Sequence, residues 1–136
     1  MESGTLRVQS TGTQSRAALV IGGEDLLRRG LSRSIENLGF ETVSAQASRI
    51  ADHAEKSYDL VIALLQIDSL DGYSVIDSLT RAFTSVPVIA VGPKESRGRV
   101  VEKLLGRPLA YLSLPILEPN LKDAVARVLA PALKIE

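Results

Sequence analysis

The sequence predicts an α/β fold, a three-layer domain built on a doubly wound sheet of five parallel strands. Two observations predict it. From residue 16 onward, short apolar runs of strand length alternate with segments of helical period, which is the pattern of repeated βα units. The chain has 136 residues, of which 45% are hydrophobic and 24% are charged, the size and balance of one globular domain.

The predicted elements follow one another in a regular order. In the first helix, leucine and isoleucine recur at helical spacing, and Gly39 follows as a C-terminal cap. The last helix has Pro119 in its first turn and ends before Pro131. The predicted strands span residues 17–21, 41–45, 60–64, 86–91 and 110–113, and the predicted helices span residues 25–38, 47–56, 73–82, 96–105 and 119–129.

The predicted domain covers residues 16–132, and a tail precedes and follows it. Residues 1–15 are rich in serine and threonine with glycine between them and show no sustained apolar period. This composition predicts a flexible N-terminal tail. Residues 133–136 are predicted to form a short C-terminal tail.

Composition and charge exclude several classes of partner. Lys plus Arg and Asp plus Glu both number 16, so the chain has no net field to hold nucleic acid or an acidic membrane surface. The longest apolar runs have the length of a strand, which predicts no membrane span and a cytoplasmic protein. Without cysteine there is neither a disulfide framework nor a thiolate site.

Four segments of the chain resemble a known family. They are LVIGGEDLLR at 19–28, YDLVIALLQIDSLDG at 58–72, PVIAVG at 87–92 and YLSLP at 111–115. In order and spacing, these segments are similar to the first, third, fourth and fifth strands of response-regulator receiver domains, with the loops that follow them. The resemblance implies the flavodoxin-like receiver fold and a role in two-component signalling.

The same resemblance assigns the positions of the receiver phosphorylation site. In receivers an acidic pair and an aspartate at the end of the third strand bind magnesium, the aspartate accepts the phosphoryl group, and a hydroxyl and a lysine complete the site. In this sequence the acidic pair falls on Gly22 and Gly23, the acceptor on Leu64, the hydroxyl on Gly92 and the lysine on Leu114. The resemblance also implies a cis peptide bond before Pro115.

None of these five side chains carries an oxygen or an amine, so the resemblance predicts a degenerate pseudo-receiver with no phosphate acceptor, no metal and no cofactor. An ordinary phosphorylated receiver remains the alternative if an acid ends the third strand. Gly22 and Gly23 could also hold a phosphate on backbone amides, but the loss of an acidic pair explains them equally well. We expect no enzyme, because Ser113 and the only histidine, His53, are predicted on distant elements.

The predicted function is a phosphorylation-independent regulatory module that acts through protein contacts. Receivers bind partners or a second copy through the face formed by the fourth helix, the fifth strand and the fifth helix. We expect apolar residues at the centre of this face, charges at its rim and a half-buried Tyr111 at the sheet edge. The candidate residues are Arg97, Val101, Lys103, Leu105, Leu109, Tyr111, Lys122 and Arg127.

A second functional class remains open on the sequence alone. In a small-ligand sensor, the emptied acidic site becomes a pocket for a neutral or apolar molecule. This hypothesis predicts a cavity between the loops at Gly22, Leu64, Gly92 and Leu114. Separately, we expect Leu64 and Leu114 to help fill the former acidic site.

Overall fold

The computed structural model describes residues 16–54, 56–65, 72–104 and 106–129, and the two predicted tails lie outside these ranges. One sheet of five parallel strands forms the centre of the domain. The strands are β1 (Arg16–Gly22), β2 (Phe40–Ala45), β3 (Leu60–Leu64), β4 (Val88–Gly92) and β5 (Leu109–Ser113). Their order in the sheet is β2-β1-β3-β4-β5, so the predicted fold class is confirmed.

A helical segment follows each of the five strands. They are α1 (Asp25–Asn37), α2 (Gly72–Ala82), α3 (Arg97–Lys103) and α4 (Glu118–Leu129), with short 3-10 helices at Ala47–His53 and Lys94–Ser96. The α-helix predicted over 47–56 is thus wrong in type and extent. This segment has a non-helical backbone at Arg49, and Ile50 is its one buried residue, so little apolar burial holds a longer helix together.

The core lies in two layers, one on each face of the sheet, because side chains along a strand alternate between its faces. Along β1, Ala18 and Val20 face α1 and α4, whereas Leu19 and Ile21 face the layer of α2, α3 and the first 3-10 helix. All four side chains are 0% exposed. Leu64, the last residue of β3, belongs to the layer beneath α1 and α4.

The register of the sheet brings four strand ends to one edge. Leu64 pairs with Gly22 on one side and with Val91 on the other, and Gly92 pairs with Ser113. The positions that the resemblance assigns to a phosphorylation site therefore meet at the carboxyl edge, where doubly wound sheets bind their ligands.

Two further expectations from the sequence concern the backbone and the membrane. The peptide bond between Leu114 and Pro115 is cis, the isomer that the sequence analysis predicts. Within the described ranges, no helix combines the length and the hydrophobicity needed to cross a membrane.

Candidate functional site

The turn between β1 and α1 consists of two glycines with left-handed backbones, Gly22 at φ +85° and Gly23 at φ +70°. Glycine adopts this conformation at no steric cost, whereas other residues are strained there. The two positive φ values bend the chain directly from the end of β1 into the first turn of α1.

Leu64 lies against both glycines and fills the space that larger residues would need. A Cβ atom at Gly22 would be 2.3 Å from the Leu64 carbonyl oxygen, and one at Gly23 would be 2.8 Å from Leu64 Cβ. The Leu64 side chain is itself 3% exposed. Glycines and leucine are therefore packed together where the resemblance places an acidic pair and a phosphate acceptor.

Arg28 holds this turn in place, and sequence reasoning did not identify it. Its Nη1 donates hydrogen bonds to the carbonyl oxygens of Gly22 and Gly23, both at 3.1 Å, and its Nε donates to Ser44 Oγ at 2.9 Å. Nη2 donates to Asp25 Oδ1 at 2.5 Å. Arg28 as a whole is 8% exposed, and all three nitrogens of its guanidinium bind groups of the protein itself. The glycine turn is explained by Arg28 and Leu64 without a bound phosphate.

The fourth strand ends in a second close contact, between Gly92 and Tyr111. The Tyr111 hydroxyl donates a hydrogen bond to the Pro93 carbonyl oxygen at 2.5 Å. A Cβ atom at Gly92 would be 2.7 Å from that hydroxyl oxygen, so the phenol occupies the place of a side chain at position 92. Tyr111 is half-buried, as the sequence predicts, but it lies over the carboxyl end of β4, where the resemblance assigns the switch hydroxyl.

Leu114 does not share the packed site with Leu64, which corrects the sequence-based expectation. Its side chain is 47% exposed and, together with Leu26 and Leu27, lines a groove on the side of α1. The match of Leu114 to the lysine position does not fix where its side chain lies, because the direction of a loop side chain depends on the path of the chain. A ligand pocket was predicted between Gly22, Leu64, Gly92 and Leu114. At Gly22, Leu64 and Gly92 its space is filled by Leu64 and by the Tyr111 hydroxyl.

The residues that the structure describes at this edge do not fit a magnesium ion, which receiver domains bind through carboxylates. Gly22, Gly23 and Leu64 offer no side-chain oxygen, and hard divalent cations require oxygen ligands. Of the acids that follow the glycines, Glu24 lines the groove beside α1 and Asp25 accepts the hydrogen bond from Arg28. In the part of the chain that the structure describes, no group of three or more His, Cys, Asp or Glu side chains could hold a metal ion.

The third strand ends in leucine in the observed register. Leu64 closes β3 and the following Leu65 is 5% exposed, with its N–H bonded to the Val91 carbonyl oxygen at 2.8 Å. The hypothesis of a misaligned receiver required an acid at this position. Asp68 and Asp71, the next acids along the chain, lie outside the described residues.

His53 lies away from the carboxyl edge, in the 3-10 helix after β2. Its Nδ1 is 3.2 Å from the Tyr58 hydroxyl, and burial raises the pKa of Tyr58. His53 is half-buried and not fully at the surface as the sequence suggested. It is not near Ser113, so the structure does not assemble a serine–histidine pair.

The predicted interaction face, formed here by α3, β5 and α4, carries charge but little exposed apolar surface. Val101 and Leu109 are half-buried, and Leu105 lies outside the described residues. Lys103 pairs with Asp77 at 3.8 Å, Arg127 pairs with Asp123 at 3.1 Å, and both pairs are solvent-exposed. Arg97 and Lys122 are exposed as predicted. The expectation of an apolar centre on this face is not met by the described residues.

Exposed apolar side chains concentrate instead beside α1. Among the described residues, the large hydrophobic side chains that are exposed are Leu26, Leu27, Leu114, Leu117 and Val43, and all but Val43 lie on α1 or in the loop before α4. Leu26 is 79% exposed. Between α1 and this loop runs an open groove of about 750 Å³. Sequence periodicity could have indicated it, since Leu26 lies off the buried stripe of α1.

No protein-family model matches the sequence, and no curated protein matches it. Several solved structures are similar to it. The chain is similar to a response regulator receiver protein from Sinorhizobium medicae WSM419, with a TM-score of 0.69 and 15% identity over 87% of this chain and 97% of that one. It is also similar to a receiver domain protein from Clostridium thermocellum, with a TM-score of 0.69 and 20% identity over 89% and 99% of the two chains.

A third similar structure is the signal receiver domain of an HD domain-containing protein from Pseudomonas fluorescens Pf-5. Its TM-score is 0.71 at 17% identity, over 89% of this chain and 99% of that one. The chain has the receiver-domain fold. The likeness extends over nearly the full length of each matched domain, so the receiver fold is present without a missing strand or layer.

Proposed function

We propose that this receiver-like domain is a regulatory module of a signalling protein that works without aspartyl phosphorylation and without catalytic activity of its own. It acts in the cytoplasm through contacts with protein, either a partner or a second copy. The receiver fold supports the signalling role, and the strand ends at the carboxyl edge support the independence from phosphate.

One observation carries the proposal. Leu64 is the last residue of β3, is 3% exposed and lies against Gly23. Its side chain offers neither a nucleophilic oxygen nor a carboxylate that could bind magnesium. Phosphoryl transfer needs an oxygen nucleophile and cations that stabilise the transferring group. Both are missing from the positions at which the receiver fold would supply them.

Tyr111 adds a second argument. Switching by phosphorylation requires a local change of charge that biases an element with two states. Here the Tyr111 hydroxyl is bonded to the Pro93 carbonyl oxygen and covers Gly92, a residue with no side chain to move. Regulation in this domain then depends on binding, on partner concentration or on both.

The test is incubation of the purified chain with acetyl phosphate and magnesium, followed by intact-mass measurement at neutral pH. We expect no added phosphoryl group. A receiver domain with its aspartate intact, treated in parallel, shows that the reagent is active. A stoichiometric, acid-labile phosphate on this chain would refute the proposal, and mapping it to Asp68 or Asp71 would identify a different acceptor.

A further inference from the structure

The groove beside α1 is an open apolar surface with acidic side chains along it. Its floor consists of core side chains, and Leu26 and Leu114 are exposed at its sides. Among the described residues that line it, the charged ones are Glu24 and Glu118. Monomeric proteins rarely leave clustered large apolar side chains exposed unless the surface binds something. The charges favour an occupant that carries a positive charge next to apolar side chains.

Gly30, in the middle of α1, lines the same groove. Apart from proline, glycine is the least favourable residue inside a helix. A Cβ atom at Gly30 would meet nothing within 4 Å, so the packing of the described residues does not require glycine there. A helical glycine lets another stretch of main chain approach closely. This position therefore favours an occupant whose backbone lies against α1.

A segment with matching chemistry precedes β1, outside the described residues. Within residues 1–15, which are rich in serine and threonine, Leu6 and Val8 flank Arg7, and Arg7 is the one basic residue. In an extended segment Leu6 and Val8 point to the same side. The long side chain of Arg7 can pass along an apolar surface and place its charge at the rim.

Chain length allows this segment to reach the groove. β1 begins at Arg16 and has seven residues, so its carboxyl end is about 20 Å from Arg16. α1 packs on one face of the sheet, and crossing the helix layer adds one helix diameter, about 10 Å. Ten residues separate Leu6 from Arg16, and an extended chain of that length spans about 33 Å. Residues 6–8 can therefore lie along the groove.

We propose that residues 6–8 dock in the groove beside α1 of their own chain, with Leu6 and Val8 against its apolar walls and Arg7 at Glu24. Glu118 is the less favourable partner for Arg7, because it already accepts a hydrogen bond from Ser34 Oγ at 2.5 Å. Three side chains make a weak contact on their own. The short tether supplies an effective concentration of about 1 mM, so a millimolar affinity is sufficient for docking.

The C-terminal segment has similar chemistry but a shorter reach. Leu133 and Ile135 flank Lys134, and the segment starts from the far end of α4. Leu129, the last residue of α4, is about 16 Å from Glu118 along the helix. Lys134 follows Leu129 by five residues, which span about 17 Å when fully extended. Only a completely straight chain would bring Lys134 to the groove, so the N-terminal segment is the favoured occupant.

A nitroxide label attached through Gln9→Cys tests the proposal, because the native chain contains no cysteine. Paramagnetic broadening of amide signals in the isotopically labelled chain reports which residues lie near the label. We expect strong broadening at Leu26, Gly30 and Leu114. Gly98 in α3 should be unaffected, since α3 packs on the opposite face of the sheet.

Two pairs of variants show whether the contact is specific. Adding Leu6→Ser and Val8→Ser to the nitroxide-labelled chain should remove most of the broadening, although the label stays tethered at the same distance. Gly30→Gln, which narrows the groove, should also reduce it. Gly98→Gln is the matched control for Gly30→Gln, because a Cβ atom at either glycine meets nothing within 4 Å. Circular dichroism should show that all variants are folded.

A charge exchange tests the contact of Arg7 with Glu24. Arg7→Glu should reduce the broadening in the groove, and adding Glu24→Arg should restore most of it. Broadening that survives Leu6→Ser with Val8→Ser, or that is equal on both faces of the sheet, would overturn the proposal.

The remaining occupants of the groove are outcomes of the same experiment. Broadening in a mixture of isotope-labelled chains without nitroxide and nitroxide-labelled chains without isotope would assign the groove to a second copy and overturn the proposal. Broadening of the groove by a label at Lys134→Cys but not at Gln9→Cys would assign it to the C-terminal segment. None of these results depends on phosphorylation, so the two proposals can fail separately.

Discussion

The carboxyl edge of the sheet and the groove beside α1 are neighbouring regions with opposite packing. At the edge, Leu64 and the Tyr111 hydroxyl occupy the space that side chains at Gly23 and Gly92 would need. In the groove, Leu26 and Leu114 are 79% and 47% exposed. The region where receiver domains carry out their chemistry is closed among the described residues, while the open apolar surface lies to one side of it.

This difference teaches that the strand ends of a receiver fold can be closely packed while an apolar surface beside them stays open. The glycine turn fits against Leu64, and the Tyr111 hydroxyl lies against Gly92, whereas Leu114 is exposed. Burial of Leu64 adds apolar contact where an unpaired carboxylate would have cost free energy. The exposed apolar side chains lie beside α1, where they can change without cost to the core.

The largest expected effect distinguishes the two regions directly. Leu64→Asp should lower the free energy of unfolding by about 3 kcal/mol or more, because it buries a carboxylate with no cation beside it. Leu114→Asp, in the groove, should change it by less than about 0.5 kcal/mol, since that side chain is half exposed. Urea unfolding of both variants measures the difference. Equal effects would mean that the two leucines share one environment.

A smaller effect should follow from filling the glycine turn. Gly23→Ala introduces a left-handed alanine, which costs about 1–2 kcal/mol, together with a Cβ atom 2.8 Å from Leu64 Cβ. Gly39→Ala is the control, because Gly39 also has a positive φ but a Cβ atom there meets nothing within 4 Å. We expect Gly23→Ala to be the more destabilising by about 1 kcal/mol, since overpacking adds at least that much. Equal losses of stability in the two variants would show that Leu64 shifts to accommodate the added Cβ atom.

The smallest of the three effects concerns Tyr111. Gly92 has no positive φ, so Gly92→Ala tests only the contact with the phenol hydroxyl. We expect Gly92→Ala to lower the free energy of unfolding by about 1–2 kcal/mol when Tyr111 is present. The decrease should be clearly smaller in a Tyr111→Phe background, where the hydroxyl is absent. Additive effects in this double-mutant cycle would place the tyrosine away from Gly92.

Sequence patterns were sufficient to predict the strands of the sheet, but not the segments and side-chain contacts around the site. The five strands and the end of β3 at Leu64 follow from apolar runs of strand length, because burial on both faces of a parallel sheet leaves a continuous hydrophobic signal. The short 3-10 helix at Ala47–His53 was mistaken for an α-helix, since a weak polar segment has no periodicity that distinguishes the two.

The positions of individual side chains could not be read from the sequence. The contacts of Arg28 with the Gly22 and Gly23 carbonyl oxygens depend on two positive φ values that bring those oxygens to one side. Tyr111 could be placed at the sheet edge but not over Gly92, because its rotamer depends on the space left by the neighbouring strand. The resemblance places Leu114 at the lysine position and predicts that it fills part of the former acidic site, whereas its loop directs it toward α1.

The measurement that tests the central claim most directly is an NMR titration of the isotopically labelled chain with magnesium and beryllofluoride, a phosphoryl mimic. We predict no saturable shift of the backbone amides of Gly22, Gly23, Leu64, Gly92 and Tyr111, because Gly22, Gly23 and Leu64 carry no side-chain oxygen and Leu64 packs against the glycine turn. The groove residues Leu26 and Leu114 serve as internal references. Saturable shifts confined to the amides at the strand ends would contradict the account and show that this edge still binds a metal and a phosphoryl group.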